Sequence, residues 1–507
     1  MQTLDWISLG LFFAVLIIIG LYSVLSIKQS KDFLVGGGKL PWQIGGISHH
    51  VGGYSAVVFT AYTMFCYRDG FSIYIWWALG FGVACLLGAW LVAPKWSKLR
   101  QQLEVQSPTE YLAVRYNVPT QQVIVWMGTV LKMLDLAGKT LAMAVILYGF
   151  AGVPVYQGIL ITGGVSLAYT VLGGFMASTR NDVFQFLVQL AGGLLMFFFV
   201  LAHLKGEFGC NYFTMWDKLP VSHFTLFSEE CDLFFAIGFW LALFFAANGG
   251  NWGAGLRFMA APSPEMARKT AALSGWLYLI WPLILFAPMW ASPLFYPDMA
   301  KPDIIYTLMA KQFLPAGLVG VVLASMFAAS ISTIAADCNA ISGVIARDIA
   351  PQFHKKLIDE NGQTPLWFVR TVSFFMAAGM MVIAIFSGDN GVVQLVVKWF
   401  SGLIAPISVP LIFGLFYRFR RCGAAAAILS TVIGVGVFLG MEGYCWMTVG
   451  KGVGLSNALF YPAVSSMVVY IAVGMLFPKV PHPRVEDLLR EINNMPSERV
   501  SATQENG

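Results

Sequence analysis

Long apolar segments recur along the whole of this 507-residue chain and constrain its fold more than any other feature. A membrane-spanning helix needs about 20 mainly apolar residues. Only 11% of the residues are charged, whereas soluble domains carry about 25%. The chain is therefore predicted to be an all-α polytopic membrane protein. We expect about thirteen spans, which centre near residues 15, 53, 83, 137, 165, 193, 246, 281, 325, 376, 405, 431 and 465.

The basic residues between these segments are distributed unevenly. Every second loop is rich in Lys and Arg, and the positive-inside rule places such loops in the cytoplasm. The N-terminus is then outside and the C-terminus inside, which requires an odd number of spans. We expect a plasma membrane location, in a bacterium the inner membrane. The basic segments are 26–40, 95–115, Arg180, 257–269, 347–356, 418–421 and 479–490.

The motifs of several other protein classes are missing from the sequence. We find no nucleotide-binding loop, no nucleophile–base pair and no metal-binding spacing, so an enzyme is not expected. The first apolar segment lacks the features of a removable signal peptide. Cys210 and Cys231 share the predicted outer loop 204–232, where they either form a disulfide or remain unpaired. Residues 481–507 are expected to form a mobile, polar cytoplasmic tail.

Two apolar segments carry paired glycines near their centres. They are "GGISHHVGGYS", Gly45–Ser55, and "AANGGNWGAG", Ala246–Gly255. Small residues in a membrane helix allow close helix packing. Alternatively, both helices are unwound at corresponding places of an inverted repeat, which frees backbone groups to bind an ion and a substrate. The second interpretation gives two units of five segments each, roughly 41–204 and 235–417.

The apolar segment near residue 325 continues into an oxygen-rich stretch. Ala329, Ser332, Thr333 and Asp337 have the spacing of one helix face. Such a face offers a carbonyl, two hydroxyls and a carboxylate to a monovalent cation. The hydroxyls could instead bond to their own helix. A carboxylate at membrane depth, however, usually marks an ion or proton pathway.

Five stretches together resemble the sodium/solute symporter family, which includes sodium/glucose, sodium/proline and pantothenate cotransporters. They are "DFLVGGGKLPWQIGGIS", "SPTEYLAVRYN", "GGFMASTRNDVFQ", "FAASISTIAADCNAISGVIARDI" and "PISVPLIFGLFYRFRRCGAAAA". The resemblance implies a LeuT-type 5+5 inverted repeat, with one helix before it and two after, within a membrane domain of residues 1–480. It implies a sodium-coupled importer of a small organic solute, such as a sugar, a sugar acid or a related carboxylate.

The resemblance also implies a sodium site. The side chains of Ser332 and Thr333 would bind Na⁺ together with the backbone carbonyls of Ala329, Val51 and Tyr54. Asp182 matches an acidic position that supports the ion path in this family. Asp337 is a second acid on that path, at a position where relatives often have an apolar residue. Proton coupling through these two acids, or a membrane sensor that transports nothing, are the alternatives.

The expected substrate site departs from that of the sugar carriers. Tyr74 and Asn251 match positions that contact sugar in those relatives, but Ile75 replaces an acid and Lys398 replaces a glutamine. The loss of an acid and the gain of a base favour an anionic substrate. Lys398 could instead extend to the membrane surface or pair with Asp135.

Lys139 is the fourth expected substrate contact. With Lys132 and Asp135 it adds charges to the segment near residue 137. These three side chains could instead simply pair with one another at helical spacing.

Overall fold

A computed structural model describes residues 1–24, 34, 36–228, 230–354, 357, 364–388 and 391–495 of the chain. The described part consists of helices and loops and contains no strands. The α-helices are α1 Thr3–Val24, α2 Trp42–Val51, α3 Ala61–Asp69, α4 Gly80–Leu91, α5 Ala93–Leu103, α6 Tyr111–Arg115, α7 Val118–Ala151, α8 Val155–Phe208, α9 Leu233–Phe245, α10 Trp252–Met259, α11 Pro264–Leu285, α12 Ala287–Phe295, α13 Ile305–Phe313, α14 Leu318–Val344, α15 Ala350–Phe353, α16 Leu366–Ser387, α17 Ser401–Phe413, α18 Ala424–Val449, α19 Leu455–Leu476 and α20 Pro483–Ile492.

Several of these helices are joined by π-helical or 3-10 segments. The π-helical segments are Tyr74–Leu79, Ala246–Gly250, Ile345–Ile349 and Val393–Phe400. The 3-10 segments are Gly36–Gly38, Ala56–Phe59, Met215–Lys218, Val221–Phe224, Pro302–Ile304 and Tyr417–Phe419.

Nine of the described helices are long and apolar enough to cross a membrane. Four further segments complete the predicted set of about thirteen. α1 has a shorter apolar stretch, Thr3–Ile19, and the span formed by α2 and α3 is interrupted. α7 and the first part of α8 qualify together as a pair bent by 119°. By length and apolar composition, the described residues therefore contain nine spans, or ten if the bent pair is counted as one, and the number thirteen stays a prediction.

α8 runs through 54 helical residues. A straight helix of this length would extend for about 80 Å. Tyr156, near its start, lines a cavity with Pro302–Ile304. Phe208, at its end, packs on Phe295 with ring centroids 5.1 Å apart. Both ends of α8 therefore lie on the same side of the molecule, so the run doubles back and contains two crossings, as the sequence predicted.

The two helix breaks lie where the paired glycines predicted them. After α2, Ser55 has extended backbone (φ −150°, ψ −179°). After α9, Gly249 has φ 120° and Asn251 has ψ 106°. A φ of 120° is strained for any residue with a Cβ, which explains the need for glycine at position 249. Both interruptions lie among buried residues.

The loops with most of the basic residues gather on one side of the molecule, which we call the basic side. Leu40 N donates to Ala260 O at 3.0 Å, and Lys479 N donates to Arg421 O at 2.9 Å. On the opposite side, Asp5 Oδ1 accepts from Gly317 N at 2.7 Å. These contacts place the start of α1 beside the start of α14, and the segment after α19 beside the loop before α18. Lys28, Lys31, Lys355 and Lys356 lie outside the described residues.

The expectation of a mobile tail is wrong for residues 483–492. They form α20, whose apolar residues fall on one face and are buried: Val485, Leu488, Leu489 and Ile492. A ten-residue helix is marginal by itself in water, so this burial is what holds it. Lys95 Nζ donates to Asn493 Oδ1 at 2.5 Å, which attaches the end of the helix to α5. Residues 496–507 of the predicted tail lie outside the described residues.

The seven cysteines are all free thiols. Cys210 and Cys231 are both buried, and of the two expected alternatives the structure has the unpaired one. Burial, followed by the negative charge of Asp69, raises the pKa of the Cys231 thiol to about 12. This thiol therefore stays protonated at neutral pH.

Candidate functional site

An oxygen cluster lies where α14 passes the first helix break. The Thr333 hydroxyl contacts the carbonyl oxygen of Ala329 at 2.8 Å, within its own helix. It also contacts the carbonyl oxygens of Val51, at 3.4 Å, and Tyr54. All four residues are buried. Four of the five predicted sodium ligands therefore meet at one point, and their role as ligands stays a prediction.

Ser332, the fifth predicted ligand, faces another group. Its hydroxyl donates to one carboxylate oxygen of Asp182. The other oxygen accepts from Ser48 and lies 3.4 Å from Nη2 of Arg257. Arg257 Nε donates in turn to Ser48 Oγ at 2.7 Å. Asp182 is thus the centre of a buried network that joins α2, α8, α10 and α14.

A second buried network contains Asp337. The Lys139 ammonium lies between the carboxylates of Asp135, at 2.8 Å, and Asp337, at 2.6 Å. Lys132 lies 3.4 Å from Asp337 and 3.7 Å from Asp135. The pairing within α7 that the spacing suggested is therefore present, but Asp337 of α14 completes it. Two lysines and two aspartates leave this cluster without net charge.

A small cavity of about 80 Å³ opens between the two helix breaks. Gly52 and Gly53 line it from the first break, and Asn251 from the second. Its charged groups are Asp135 and Lys139. A smaller cavity beside it shares the same glycines and Asn251 and reaches Arg257 and Asp337. The larger cavity also has hydroxyl and aromatic walls, formed by Ser55, Ser401, Tyr62, Trp77, Phe81, Phe239 and Phe400.

Two side chains on the polar wall of the larger cavity, Asn251 and Ser55, keep a hydrogen-bond donor free of protein acceptors. The Asn251 amide oxygen accepts from Lys132 Nζ at 2.6 Å, and this contact leaves the Asn251 NH₂ group for a ligand. Ser55 Oγ accepts from Val57 N at 3.3 Å, which leaves the Ser55 hydroxyl proton available. The cavity is thus suited to a ligand rich in hydrogen-bond acceptors.

Two expected substrate contacts, Tyr74 and Lys398, lie outside the lining of these two cavities. The Tyr74 hydroxyl donates to Leu279 O at 2.7 Å. Lys398 is not in contact with Asp135, nor does it extend into solvent. Its buried ammonium lies 2.8 Å from a carboxylate oxygen of Glu442. None of the three alternatives for Lys398 included this partner, which lies on α18.

Three functional candidates were missed by the sequence reasoning. Arg257 was included only in a basic segment of the sequence, and Ser48 and Glu442 were not considered. A charged residue within an apolar span was the available signal for Arg257 and Glu442. Ser48 had no such signal, because a lone serine in a membrane helix usually bonds to its own backbone.

Gly53 has a steric role that its sequence position did not reveal. A Cβ atom built on Gly53 would lie 1.7 Å from the Tyr278 hydroxyl. That hydroxyl donates to His50 O at 3.0 Å, a carbonyl at the end of α2. Tyr278 therefore supports the first helix break, and the space at Gly53 is already taken. A side chain at position 53 would collide with this hydroxyl.

Comparisons with known proteins agree with this arrangement. The model of the sodium:solute symporter family matches residues 33–434. The sodium/glucose cotransporter of Vibrio parahaemolyticus is 23% identical over 439 residues, which are 80% of this chain and 78% of the relative. The sodium/sialic acid symporter of Aliivibrio fischeri is 22% identical over 495 residues, which are 94% of this chain and 92% of the relative.

A solved structure is also similar. A Na⁺-coupled sialic acid symporter, in a substrate-bound outward-open state, superposes with a TM-score of 0.76 at 19% identity. The superposition covers 94% of this chain and 99% of the other. The two proteins share a fold, and the expected LeuT-type architecture is confirmed.

Proposed function

Because the chain belongs to the sodium:solute symporter family, we propose that it couples the inward movement of Na⁺, bound at Thr333, to import of a small organic carboxylate. The family is one of transporters driven by sodium, and no enzymatic activity is proposed. The observation that carries the proposal is the oxygen cluster at the first helix break. A hard monovalent cation takes oxygen ligands, and here three carbonyls surround one hydroxyl.

The sodium site would join two parts that move against each other. Val51 and Tyr54 belong to the interrupted span, whereas Ala329 and Thr333 belong to the continuous α14. In folds of this kind, one bundle rocks against the other around a fixed site. An ion that binds both parts stabilises the conformation in which its ligands meet. Ser332 would join the shell if its hydroxyl left Asp182, which we assign to the ion path.

The carboxylate is proposed from the free donors of the cavity and from charge balance. Lys139 and the NH₂ group of Asn251 face the cavity from two sides. The four-residue ionic cluster beside it is already neutral, so Na⁺ alone would add one uncompensated charge to a buried site. Ionised groups are costly at membrane depth. A carboxylate that enters with Na⁺ restores neutrality.

A neutral sugar is the second candidate. Each lysine of the cluster already has a carboxylate partner, so the cluster does not require an external anion. One relative is named for glucose and another for sialic acid. Both compounds are therefore candidate substrates for this chain. The aromatic side chains of Trp77 and Phe81 would suit the apolar face of a sugar ring.

A stability screen separates these two candidates. The purified chain is heated in Na⁺ or K⁺ buffer with glucose, sialic acid or lactate. We expect an acid to raise the melting temperature in Na⁺ and to have little effect in K⁺, because the sodium site completes the substrate site. Stabilisation by glucose alone would instead favour the neutral sugar. Stabilisation that is equal in Na⁺ and K⁺ would count against sodium coupling at this site.

The orientation and repeat boundaries are part of the same proposal. We place the basic side in the cytoplasm of a bacterial inner membrane, which leaves the N-terminus outside and the C-terminus inside. The repeats are assigned to residues 41–204 and 235–417. The grouping of most basic loops on one side supports this orientation.

A further inference from the structure

A cavity on the basic side lies far from the proposed sodium site and is lined by cations. It measures about 120 Å³, several times the roughly 30 Å³ that one water occupies in the liquid. Its basic lining residues come from three separate segments: Arg115 at the end of α6, Arg420 after the 3-10 turn, and Lys479 and His482 before α20. None of its lining residues is acidic.

The cationic side chains of the cavity differ in the protein groups that they already contact. Arg115 donates to Gly414 O at 3.1 Å and to Phe419 O at 2.7 Å, two neutral carbonyls that leave its charge unbalanced. Arg420 Nε lies 3.7 Å from a carboxylate oxygen of Glu486, which is closer to Arg490, at 3.3 Å. Within the described part of the chain, the Lys479 ammonium has neither an ion pair nor a hydrogen bond. The cavity therefore holds an excess of positive charge.

These basic residues line a concave pocket, unlike basic loop residues that only determine the orientation of the chain in the membrane. Positive residues on cytoplasmic loops are expected from topology alone. Arg418 is such a residue: it lies two positions before Arg420 but is exposed and does not line the cavity. The side chains around the cavity instead line one half-open pocket, with Val114 and Val485 as apolar walls.

We propose that this cavity binds a phosphate group, from either a soluble phosphate compound or the headgroup of an anionic phospholipid. A phosphate has several acceptor oxygens and up to two negative charges, which suits cations that approach from several directions. Basic pockets between membrane helices on the cytoplasmic side are suited to lipid headgroups. A carboxylate, which has two oxygens in one plane, would satisfy fewer of these donors.

Binding there would join parts of the chain that are distant in sequence. The α6 end, the loop before α18 and the linker to α20 meet around this cavity. An anion held among them would strengthen the docking of α20, which in turn contacts α5. A ligand that binds only the folded state stabilises it by mass action. Thermal stability therefore reports occupancy without knowledge of the transported solute.

The test uses the full chain in nanodiscs, with two sources of phosphate. In the first arm, inorganic phosphate is titrated into phosphatidylcholine nanodiscs at constant ionic strength. In the second, phosphatidylglycerol replaces part of the phosphatidylcholine. The wild type is compared with Lys479→Gln and with Arg418→Gln, a matched loss of charge outside the cavity.

We expect the melting temperature of the wild type and of Arg418→Gln to rise in at least one arm. Lys479→Gln should weaken the apparent affinity about tenfold, the effect of one lost charge-assisted hydrogen bond. A rise only with phosphatidylglycerol identifies a lipid headgroup, and a rise with inorganic phosphate identifies a soluble compound. No rise in either arm, or an equal response of Lys479→Gln and Arg418→Gln, would overturn the proposal.

Discussion

Thr333 contributes a single hydroxyl at the point where two helices meet, and this oxygen decides the proposed sodium affinity. Thr333→Ala should raise the Na⁺ concentration for half-maximal stabilisation at least tenfold, a loss of about 1.4 kcal/mol. Thr333→Ser keeps the hydroxyl and should stay close to the wild type. The measurement is a Na⁺ titration of the melting temperature. An unchanged midpoint in the alanine variant would place the sodium elsewhere.

Lys398 is predicted to matter for stability rather than for substrate binding. Lys398→Gln leaves Glu442 buried without its cation, and breaking a buried ion pair costs about 3 kcal/mol or more. Thermal unfolding should show a lower melting temperature, and Glu442→Gln in the same chain should restore part of it. Uptake per folded molecule should change little. A full loss of uptake by a stable single variant would return Lys398 to the substrate site.

At this scale the sequence revealed ligand types better than ligand partners. Thr333 and its helix face could be predicted from the sequence, because the spacing of residues within one helix is fixed. The Arg257 partner of Asp182 could not be predicted, because it lies 75 residues further along the chain. The Glu442 partner of Lys398 was missed for the same reason, because it lies 44 residues away in the chain. Charges can be read from a sequence, but their pairing across helices depends on packing.

The proposed sodium site depends on the geometry of the interrupted helices. Gly53→Ala should deform the first break, because the added Cβ would collide with the Tyr278 hydroxyl. We expect the apparent affinity for Na⁺ to fall at least about tenfold, because the Val51 and Tyr54 carbonyls would move. The check is the same Na⁺ titration on folded protein.

Tyr278→Phe provides the control for that substitution. It removes the colliding oxygen, so the double variant Gly53→Ala/Tyr278→Phe should recover part of the lost sodium affinity. Equal losses in the single and double variants would show that the steric explanation is wrong.

Element boundaries were predictable where glycine or charge interrupts an apolar run, and less so elsewhere. The paired glycines located both breaks, because glycine is the residue that tolerates the backbone of Gly249. The docking of α20 was missed, although its apolar residues at 485, 488, 489 and 492 have helical spacing. Whether such a stripe is buried depends on a partner surface, here α5, that the sequence does not display.

For the whole molecule, the proposed substrate charge has an energetic consequence. One Na⁺ and one monocarboxylate carry no net charge together, so a tenfold sodium gradient, about 1.4 kcal/mol, supports only about tenfold accumulation. A neutral solute would also use the membrane potential, about 2.3 kcal/mol per 100 mV. The steady-state accumulation ratio in proteoliposomes should therefore be insensitive to an imposed potential. A ratio that rises with the potential would indicate a neutral solute or additional sodium ions.

The central claim is that sodium at Thr333 drives uptake, and the most direct test is the ion dependence of accumulation. Proteoliposomes receive the carboxylate selected by the stability screen, with an inward Na⁺ gradient at equal pH on both sides. The account predicts accumulation in the wild type and in Thr333→Ser, with at least about a tenfold higher Na⁺ requirement in Thr333→Ala. Accumulation that follows a pH gradient in sodium-free buffer would contradict it and make Asp182 and Asp337 a proton pathway.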